Sequence, residues 1–486
     1  MKSNLKRKIA IVLLLASAST SAQQTPWVTF FGGPGPQFAT DIRQTSDNGY
    51  IIAAYDSENY SANYYIVKLD EAGNLEWETN ISKDNYSERA YSVIETSTGD
   101  FVVTGTATML SRPWIVKLNS LGDTLWTSQW TNDLPQNSAV IARAVLLPDN
   151  RIVVIGAEGQ LGSQPNMFLV SQEGALLEQR TLNAPVPPGW YSGTIVTHVE
   201  PASDGGFLLT GSAGGGSSSK AFLWKFDQNA DSVWTKLYNE HGMRAANSVK
   251  QLADGGYIMV GFSSPNSEHS CAIRVDQYGE VIWSQTYPDN VYTQATDVIE
   301  WTDGTFLITE IRFEAFGETI FESALLKIDG DGNLLNRDII TANDASVAIY
   351  RMRGTNDGGF VMAGEINEMM VMNEQDLFVL KSDPLGDFSN SYFNILLSDN
   401  IIKSDVNDIE IRILPNPVRA GSEVYMFVPD HTRSIGVYSL TGSKVHKIDA
   451  EHNRLNGFTA PDKKGIYIVR VLLSSGEAVN KRLVVI

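Results

Sequence analysis

The sequence has only one cysteine, Cys271, so no disulfide can form within the chain. Stability must therefore come from buried apolar surface and hydrogen-bonded backbone. Positive charge is also scarce, since 37 Lys and Arg residues stand against 56 Asp and Glu residues, for a formal net charge of −19. Because such a surface repels polyanions, nucleic acid is disfavoured as a partner.

The chain also lacks a long apolar run after its first residues, which excludes a helical membrane span in the mature protein. Four basic residues within the first eight precede an apolar run over residues 9–16 and a Ser/Thr/Ala segment that ends at Ala22. This order predicts a signal peptide over residues 1–22. No cysteine directly follows the run, so a simple lipid anchor is not expected.

What the sequence has in quantity is a repeat. An Asp, Asn or Ser opens a tight turn at intervals of about 49 to 56 residues, and Gly or Ala follows three residues on. The opening residues are Asp70, Asn119, Ser171, Asp227, Asp276, Asp329 and Asp383. Glycine between two β-rich runs predicts a hairpin, because it adopts the positive φ that tight turns need. A tryptophan follows the turn in four copies: Trp77, Trp126, Trp234 and Trp283.

Each repeat holds four predicted strands, and units of this length bury their faces only by stacking on their neighbours. We therefore expect an all-β fold with a seven-bladed β-propeller over residues 23–395. The seventh repeat lacks its fourth strand, whereas the segment Trp27–Phe31 precedes the first repeat without one of its own. This N-terminal strand is expected to complete the last blade and close the ring, which removes exposed sheet edges.

The repeats resemble the propeller repeats common in exported proteins of Gram-negative bacteria and, more loosely, the Trp-docking repeats of quinone-dependent dehydrogenases. In those enzymes the turn is one residue longer, and their metal and catalytic carboxylates have no counterpart here. The shared tryptophan therefore implies packing between blades, and no cofactor is predicted. The segment Asp329-Gly330-Asp331 resembles the start of a calcium loop, but Leu334 stands where that loop needs glycine, so no metal site is predicted.

The last part of the chain differs from the blades. Residues 396–408 form a predicted linker, and residues 409–486 contain short alternating strands typical of a small immunoglobulin-like β-sandwich. Four motifs there resemble the type A C-terminal sorting domain of type IX secretion cargo. Their marker residues are Pro415, Asn416, Pro417, Tyr438, Gly442, Gly465, Tyr467 and Lys481. The resemblance implies a type IX translocon as partner, passage through the periplasm and outer membrane, and a secreted or cell-surface end state.

Polar residues at one place in the first strand of each repeat form the candidate ligand site. Alignment on the turns brings together Asp41, Ser92, Ala144, His198, Ser248, Asp297 and Arg351. Two residues on, and therefore on the same strand face, come Arg43, Ile94, Leu146, Glu200, Lys250, Ile299 and Arg353. If the first strand is innermost, these side chains lie at the channel mouth and either bind a ligand there or only tie adjacent blades together.

The sequence contains no nucleophile elbow and no phosphate loop. We therefore expect a non-enzymatic binding or adhesion module for an extracellular glycan or protein. The alternative is an extracellular polysaccharide hydrolase or lyase with its site at the channel mouth, because propellers host such sites. A structural component of the cell surface is a third possibility.

Overall fold

The computed structural model describes most of the chain from Pro26 onwards. The described residues are 26–32, 35–58, 61–83, 87–107, 112–129, 140–158, 164–183, 193–214, 219–238, 242–263, 268–313, 322–342, 345–368, 375–388, 393–396, 412–414, 420–421, 423–427, 432–439, 444–448, 455–473 and 478–485. They form an all-β fold of many four-stranded sheets, consistent with a propeller-like architecture. No helix in these ranges is long and apolar enough to cross a membrane.

Four-stranded antiparallel units follow one another along the chain, each in strand order 1-2-3-4. The first strand, β1 (Trp27–Phe31), precedes unit 1, which consists of β2 (Gln37–Gln44), β3 (Tyr50–Glu58), β4 (Ser61–Leu69) and β5 (Leu75–Ile81). Unit 2 consists of β6 (Glu88–Glu95), β7 (Phe101–Ala107), β8 (Arg112–Leu118) and β9 (Thr124–Gln129). Unit 3 consists of β10 (Val140–Leu146), β11 (Ile152–Glu158), β12 (Asn166–Val170) and β13 (Leu176–Thr181). Units 4 and 5 consist of β14 (Thr194–Pro201), β15 (Phe207–Ala213), β16 (Lys220–Phe226) and β17 (Ser232–Leu237), then β18 (Met243–Gln251), β19 (Tyr257–Ser263), β20 (His269–Val275) and β21 (Val281–Tyr287).

The last two units share one nine-stranded sheet. Unit 6 consists of β22 (Tyr292–Glu300), β23 (Phe306–Phe313), β24 (Glu322–Ile328) and β25 (Leu334–Ala342), and unit 7 contains β26 (Ala345–Gly354), β27 (Phe360–Glu368) and β28 (Gln375–Lys381). A single bridge between Ala342 and Ala345 joins the two units. The fourth strand of unit 7 is β1, which pairs with β28 from Trp27 opposite Lys381 to Phe31 opposite Leu377. An additional strand, β29 (Phe393–Leu396), pairs with the outer edge of β25.

Tryptophans on the fourth strands pack against the turn of the following unit. The Trp77 indole N–H donates to the carbonyl of Ser120 at 3.0 Å. The Trp77 ring packs so close to Gly122 that a Cβ added there would lie only 2.8 Å from the ring. Trp126 and Trp283 make the same contact with the next unit. Trp27 on β1 packs in this way against Gly73, whose φ is +82°. The tryptophan and the glycine are therefore required together, one on each side of a unit boundary.

Two boundaries replace this contact. Between units 3 and 4, Glu178 stands in the tryptophan place, and Arg180 donates to the Ala230 carbonyl at 2.9 Å. Between units 6 and 7, Asn336 stands in that place, and the ring of Trp301, which comes from the first turn of unit 6, lies against Gly386. An aromatic ring or guanidinium thus still covers the turn where the repeat departs from its pattern.

Buried lysines explain the acidic residue of the first turn. Lys68 on β4 is 2.9 Å from Asp47, Lys225 on β16 is 2.8 Å from Asp204, and Lys381 on β28 is 2.7 Å from Asp357. A buried ammonium needs a paired charge, so these turns have a structural role.

Replacing Trp27 by Ala should destabilise the protein by about 3–5 kcal/mol, because it removes a packed aromatic side chain and loosens β1 at the sheet edge. Urea unfolding measures the change. Leu125→Ala is the matched control, since Leu125 is half exposed on a fourth strand and should cost little. A Trp27→Ala cost no larger than that of the control would contradict this account of the contact.

The C-terminal residues form two further sheets. One contains β30 (Arg412–Leu414), β31 (Glu423–Phe427) and β34 (Leu455–Thr459), and the other contains β32 (Thr432–Ser439), β33 (Lys444–Ile448), β35 (Gly465–Leu473) and β36 (Ala478–Val485). Val424, Phe458, Val437, Val469 and Leu483 pack between them in one core. Of the sorting-motif residues, Tyr438, Gly465, Tyr467 and Lys481 lie in strands of the second sheet, whereas Pro415, Asn416, Pro417 and Gly442 lie outside the described residues.

Candidate functional site

The first strands of the units bring together the polar residues that the sequence singles out. Both tight turns of a unit lie at one end of its sheet, and the longer connections lie at the other end. We call the charged and hydroxyl side chains at the middle of these strands the belt. Its members are Asp41, Arg43, Ser92, Arg143, His198, Glu200, Ser248, Lys250, Asp297, Arg351 and Arg353.

Unit 3 corrects the predicted alignment, because Arg143 and not Ala144 stands in the belt position. The first turn of unit 3, Asp149-Asn150-Arg151, has no glycine to mark the register, which displaced the sequence alignment by one residue. Counted from the first turn, Asp41 is four residues before Thr45, and Arg143 is four residues before Leu147. The position two residues on is likewise held by Val145 and not Leu146.

Hydrogen bonds of the belt join neighbouring units. Three side chains each accept a backbone N–H from the following unit: Asp41 from Val93 at 3.2 Å, His198 from Val249 at 3.2 Å, and Asp297 from Met352 at 3.0 Å. Arg143 donates back to the Tyr91 carbonyl at 2.9 Å, and Arg351 donates to the Thr40 carbonyl at 3.0 Å, which connects the last unit to the first. Most of the belt therefore ties adjacent units together.

Arg353 reaches several units at once. Its guanidinium lies 2.6 Å from Asp297 of unit 6 and 3.5 Å from Asp41 of unit 1. Its Nη2 atom is also 3.4 Å from Nε2 of His198 in unit 4. Burial acts to raise the pKa of Asp41 and of Asp297, but nearby arginines outweigh it and hold both values below the usual range. Both carboxylates are therefore ionised at neutral pH.

His198 is neutral in this setting. Burial lowers its pKa well below 6.5, and the charges of Arg353 and Arg351 lower it further. Because Nδ1 accepts from Val249, the proton lies on Nε2, which is 3.9 Å from a Glu200 oxygen. Nη2 of Arg353 and Nε2 of His198 are then both donors, so the 3.4 Å contact between them is not a hydrogen bond.

Solvent reaches only part of the belt. The Lys250 side chain, which forms an ion pair with Glu200, is 38% exposed, and that of Arg43 is 23% exposed. Asp41, Asp297, His198 and Glu200 are buried. The predicted site residues thus come together, but most of them satisfy one another.

A second group of side chains lies nearer the long-connection end and was not predicted from the sequence. Glu365 on β27 is opposite Ala348 of β26 and is only 5% exposed. The Tyr350 hydroxyl donates to it at 2.9 Å, and its other carboxylate oxygen has no hydrogen-bond donor among the described residues. Burial raises the pKa of Glu365 to about 7, although the bond from Tyr350 acts to lower it.

Aromatic rings continue from this carboxyl group across the next two units. Tyr55 holds in unit 1 the place of Glu365, and it stacks on Phe38 with ring centroids 4.7 Å apart. The exposed Arg89 of unit 2 lies 5.1 Å above the Tyr55 ring. Burial raises the pKa of Tyr55 to about 12, Arg89 acts to lower it, and Glu365 acts to raise it. We call Phe38, Tyr55, Arg89, Tyr350 and Glu365 the arc.

The arc combines groups suited to proton transfer on a sugar. A carboxyl group with a pKa near neutrality can take or give a proton at physiological pH. Aromatic faces offer apolar area to a sugar ring, and an exposed guanidinium can bind an acidic substituent. The available signal in the sequence was a glutamate directly after the apolar run over residues 360–364.

A second cluster of buried charged groups contains both signs. Glu310 of unit 6, which stands where most units have glycine, is 3.1 Å from Arg337, and Arg337 and Arg312 both contact Asp289. Burial raises the pKa of Glu310, and the two arginines oppose that shift. In the described part of the chain, no group of three or more His, Cys, Asp or Glu side chains could hold a metal ion.

His198 and Glu365 should make the free energy of unfolding depend on pH in opposite directions. The folded state lowers the pKa of His198, so below pH 6.5 the unfolded state binds more protons and stability falls as pH falls. The folded state raises the pKa of Glu365 from 4.5 to about 7, so stability rises as pH falls through that window. In the wild type the two slopes, each up to about 1.4 kcal/mol per pH unit, oppose each other.

Two isosteric variants separate these slopes. Glu365→Gln should make the protein lose stability on acidification more steeply than the wild type, because the slope that opposes that of His198 is removed. His198→Asn keeps an acceptor for the Val249 N–H and should make the protein gain stability between pH 7 and 4.5. Urea midpoints over this range measure both, and slopes identical to the wild type in both variants would refute the assignment.

Comparison with known proteins finds likeness in structure only. No protein-family model matches the sequence, and no curated protein is similar to it. An ulvan lyase, a polysaccharide lyase solved with a bound saccharide, superposes with a TM-score of 0.48 at 8% identity, over 73% of this chain and 94% of that one. A protein of unknown function from Bacteroides caccae gives 0.35 at 12% identity, over 62% and 92% of the two chains. A putative exo-β-1,3-galactanase from Bifidobacterium bifidum gives 0.34 at 12%, over 54% and 98%.

These likenesses concern the arrangement of strands. They nevertheless contradict one prediction from the sequence, namely that the chain is not an enzyme. Because a polysaccharide lyase and a putative galactanase are among the similar structures, the non-enzymatic prediction is wrong as an inference from this architecture.

Proposed function

We propose that this chain is an exported propeller that cleaves an extracellular polysaccharide at the long-connection end of its channel, with Glu365 as the proton-transfer group. The observation that carries the proposal is the nearly buried Glu365 carboxyl group with a pKa of about 7, held by the Tyr350 hydroxyl beside the Tyr55 ring and Arg89. The belt, by contrast, has an architectural role.

The chemistry follows from the two protonation states of Glu365. In hydrolysis, the ionised carboxylate removes a proton from the water that attacks the anomeric carbon. In elimination, it removes a proton from the ring carbon that bears the carboxylate of a uronate sugar. In its neutral form it protonates the leaving glycosidic oxygen. A pKa near the working pH populates both forms, which is the optimum for general acid–base catalysis. Tyr350 is a positioning residue, because it orients the carboxyl group.

The remaining members of the arc, Phe38, Tyr55 and Arg89, would contact the substrate. The Phe38 and Tyr55 rings present a stacked pair against which a sugar ring can pack. Arg89 is exposed beside them and can bind a carboxylate or sulfate group of the chain. Arg89 thus favours an acidic sugar unit at the arc, in contrast to the net negative charge of the chain, which repels polyanions elsewhere.

The propeller itself is part of the proposal: seven blades closed by β1. Three contacts support it. Trp27 packs on Gly73, the Asn356 N–H donates to Gln44 at 2.8 Å, and Arg351 donates to Thr40. The equivalents of the first two occur between consecutive units, as in the bond from Ala253 to Glu300.

Export is proposed from the sequence. The signal peptide over residues 1–22 would direct the chain to the periplasm, and an immunoglobulin-like sorting domain over residues 409–486 would bring it to a type IX translocon, with a secreted or cell-surface end state. The two packed sheets of the C-terminal part support a sandwich. Deletion of residues 409–486 in the native host should leave the protein in the periplasm.

A panel assay tests the activity. The purified full-length mature chain is incubated with uronate-bearing, sulfated and neutral polysaccharides, and two products are measured: unsaturated uronide, which elimination forms, and new reducing ends without unsaturation, which hydrolysis forms. Cleavage of an acidic member with either product supports the proposal. Absence of cleavage across the panel, with unchanged chain length by light scattering, would overturn it.

A further inference from the structure

The belt holds more positive than negative charge. Asp41 experiences the charges of Arg43, Arg353, Arg143 and Arg351, and the same four arginines act on His198. Against these four guanidinium groups stand the buried carboxylates of Asp41 and Asp297, while Lys250 and Glu200 neutralise each other. The belt therefore has an excess of two positive charges in a chain whose net charge is strongly negative.

This excess also shows in the hydrogen bonding. The buried Nε atom of Arg143 has no acceptor among the described residues, and Nε of Arg43 has only a long contact of 3.5 Å with a carboxylate oxygen of Asp41. Arg143 is about nine-tenths buried, and its only described bond is to the Tyr91 carbonyl. A guanidinium has five donors, and leaving them unpaired away from water is costly.

Electrostatics agrees with the geometry. Burial and the neighbouring charge of Arg351 lower the pKa of Arg143 to about 9, so the group is still a cation at neutral pH. By comparison, the other buried arginine cluster, Arg312 and Arg337, faces the acidic groups Asp289 and Glu310. The belt therefore differs from that cluster in having an excess of buried positive charge, which is expensive unless a counter-charge is present.

We propose that the belt binds one divalent tetrahedral oxyanion, sulfate or phosphate, between Arg43 and Arg143. Its two charges match the excess, and its four oxygens supply the acceptors that these guanidinium groups lack. Arg43 is partly exposed, so the ion enters from the tight-turn end. This site lies on the opposite side of the belt from the arc and stabilises the assembly of units, independently of any cleavage activity.

Thermal unfolding of the full-length mature protein tests the site. Sodium sulfate and sodium phosphate should raise Tm with a saturating dose dependence, whereas sodium chloride at the same ionic strength should not. Arg143→Met should abolish the saturable rise, and Arg43→Met should weaken the apparent affinity by about tenfold or more, the loss of one charge-assisted contact. Arg151→Met is the matched control, because it removes an arginine of the same unit that pairs with Asp149 outside the belt.

A general salting-out effect of sulfate would be linear and would occur equally in all variants. Equal rises in the wild type, Arg143→Met and Arg151→Met would therefore overturn the proposal. If Arg143→Met does not fold, calorimetric titration of the wild type and of Arg43→Met with inorganic sulfate tests the site instead. Absence of any heat of binding to the wild type would overturn the proposal. Titration with a monosaccharide sulfate in parallel shows whether the free ion or a sulfate ester of a glycan is the preferred source.

Discussion

Replacement of Glu365 by Gln is expected to reduce the rate of polysaccharide cleavage by about 10²- to 10⁴-fold, with little change in substrate binding. The amide has the same shape and can still accept the Tyr350 hydrogen bond, but it neither takes nor gives a proton at neutral pH. The loss should therefore appear in kcat and not in KM. Initial rates on the acidic polysaccharide selected by the panel measure it.

The chain offers a matched control for this variant. The Tyr65 hydroxyl donates to Glu78 at 2.5 Å on the outer strands of unit 1, which reproduces the Tyr350–Glu365 pair away from the channel. Glu78→Gln should leave the rate unchanged. Tyr350→Phe removes a bond that lowers the pKa of Glu365, so the pH–rate profile should move to higher pH. Equal activity of Glu365→Gln and Glu78→Gln would rule out the catalytic role of Glu365.

Replacement of Arg353 by Met should cost about 3–5 kcal/mol of unfolding free energy, the largest loss that we expect from any single substitution in the belt. Asp297 is fully buried and forms no other ion pair among the described residues, so its carboxylate would lose its only ion-pair partner and keep only longer-range charges such as that of Arg351. Asp41 would lose a second partner at the boundary between the last unit and the first. Equilibrium unfolding in urea measures the change.

Arg274→Met is the control for this prediction. Arg274 also contacts an aspartate, Asp254, at 2.6 Å, but that carboxylate is half exposed, so the expected cost is about 1 kcal/mol or less. Adding Asp297→Asn to Arg353→Met should recover part of the loss, because the amide carries no charge to be left unpaired. If Arg353→Met were no more harmful than Arg274→Met, the belt would not have the bridging role described here.

The periodic part of the structure could be predicted from the sequence, because turns and alternating strands depend on local residues. The positions of Asp41, His198 and Asp297 follow from counting back from a turn. Arg143 follows from the same count, four residues before Leu147, so the predicted Ala144 was wrong by one residue. The first turn of unit 3, Asp149-Asn150-Arg151, contains no glycine to mark the register, whereas each of the other first turns contains one.

The arc could not be predicted for a different reason. Tyr350 and Glu365 lie in one unit, Tyr55 in another and Arg89 in a third, so their proximity depends on how units stack. Counting within a repeat aligns residues of the same position but does not tell which of them face the same neighbour. The absence of a catalytic motif in the sequence was therefore no evidence against catalysis.

Arg353 contacts residues of units 6, 1 and 4, and this affects how a polysaccharide can bind and leave. In the proposed ring, a side chain that joins Asp297 to Asp41 and passes 3.4 Å from His198 lies across the centre and obstructs the passage of a polymer from one side to the other. A polysaccharide must instead lie over the opening at Glu365, and its fragments must depart by the face through which they arrived. Product release and binding of the next chain then compete for one entrance, so inhibition by short oligosaccharide products is the kinetic behaviour to expect.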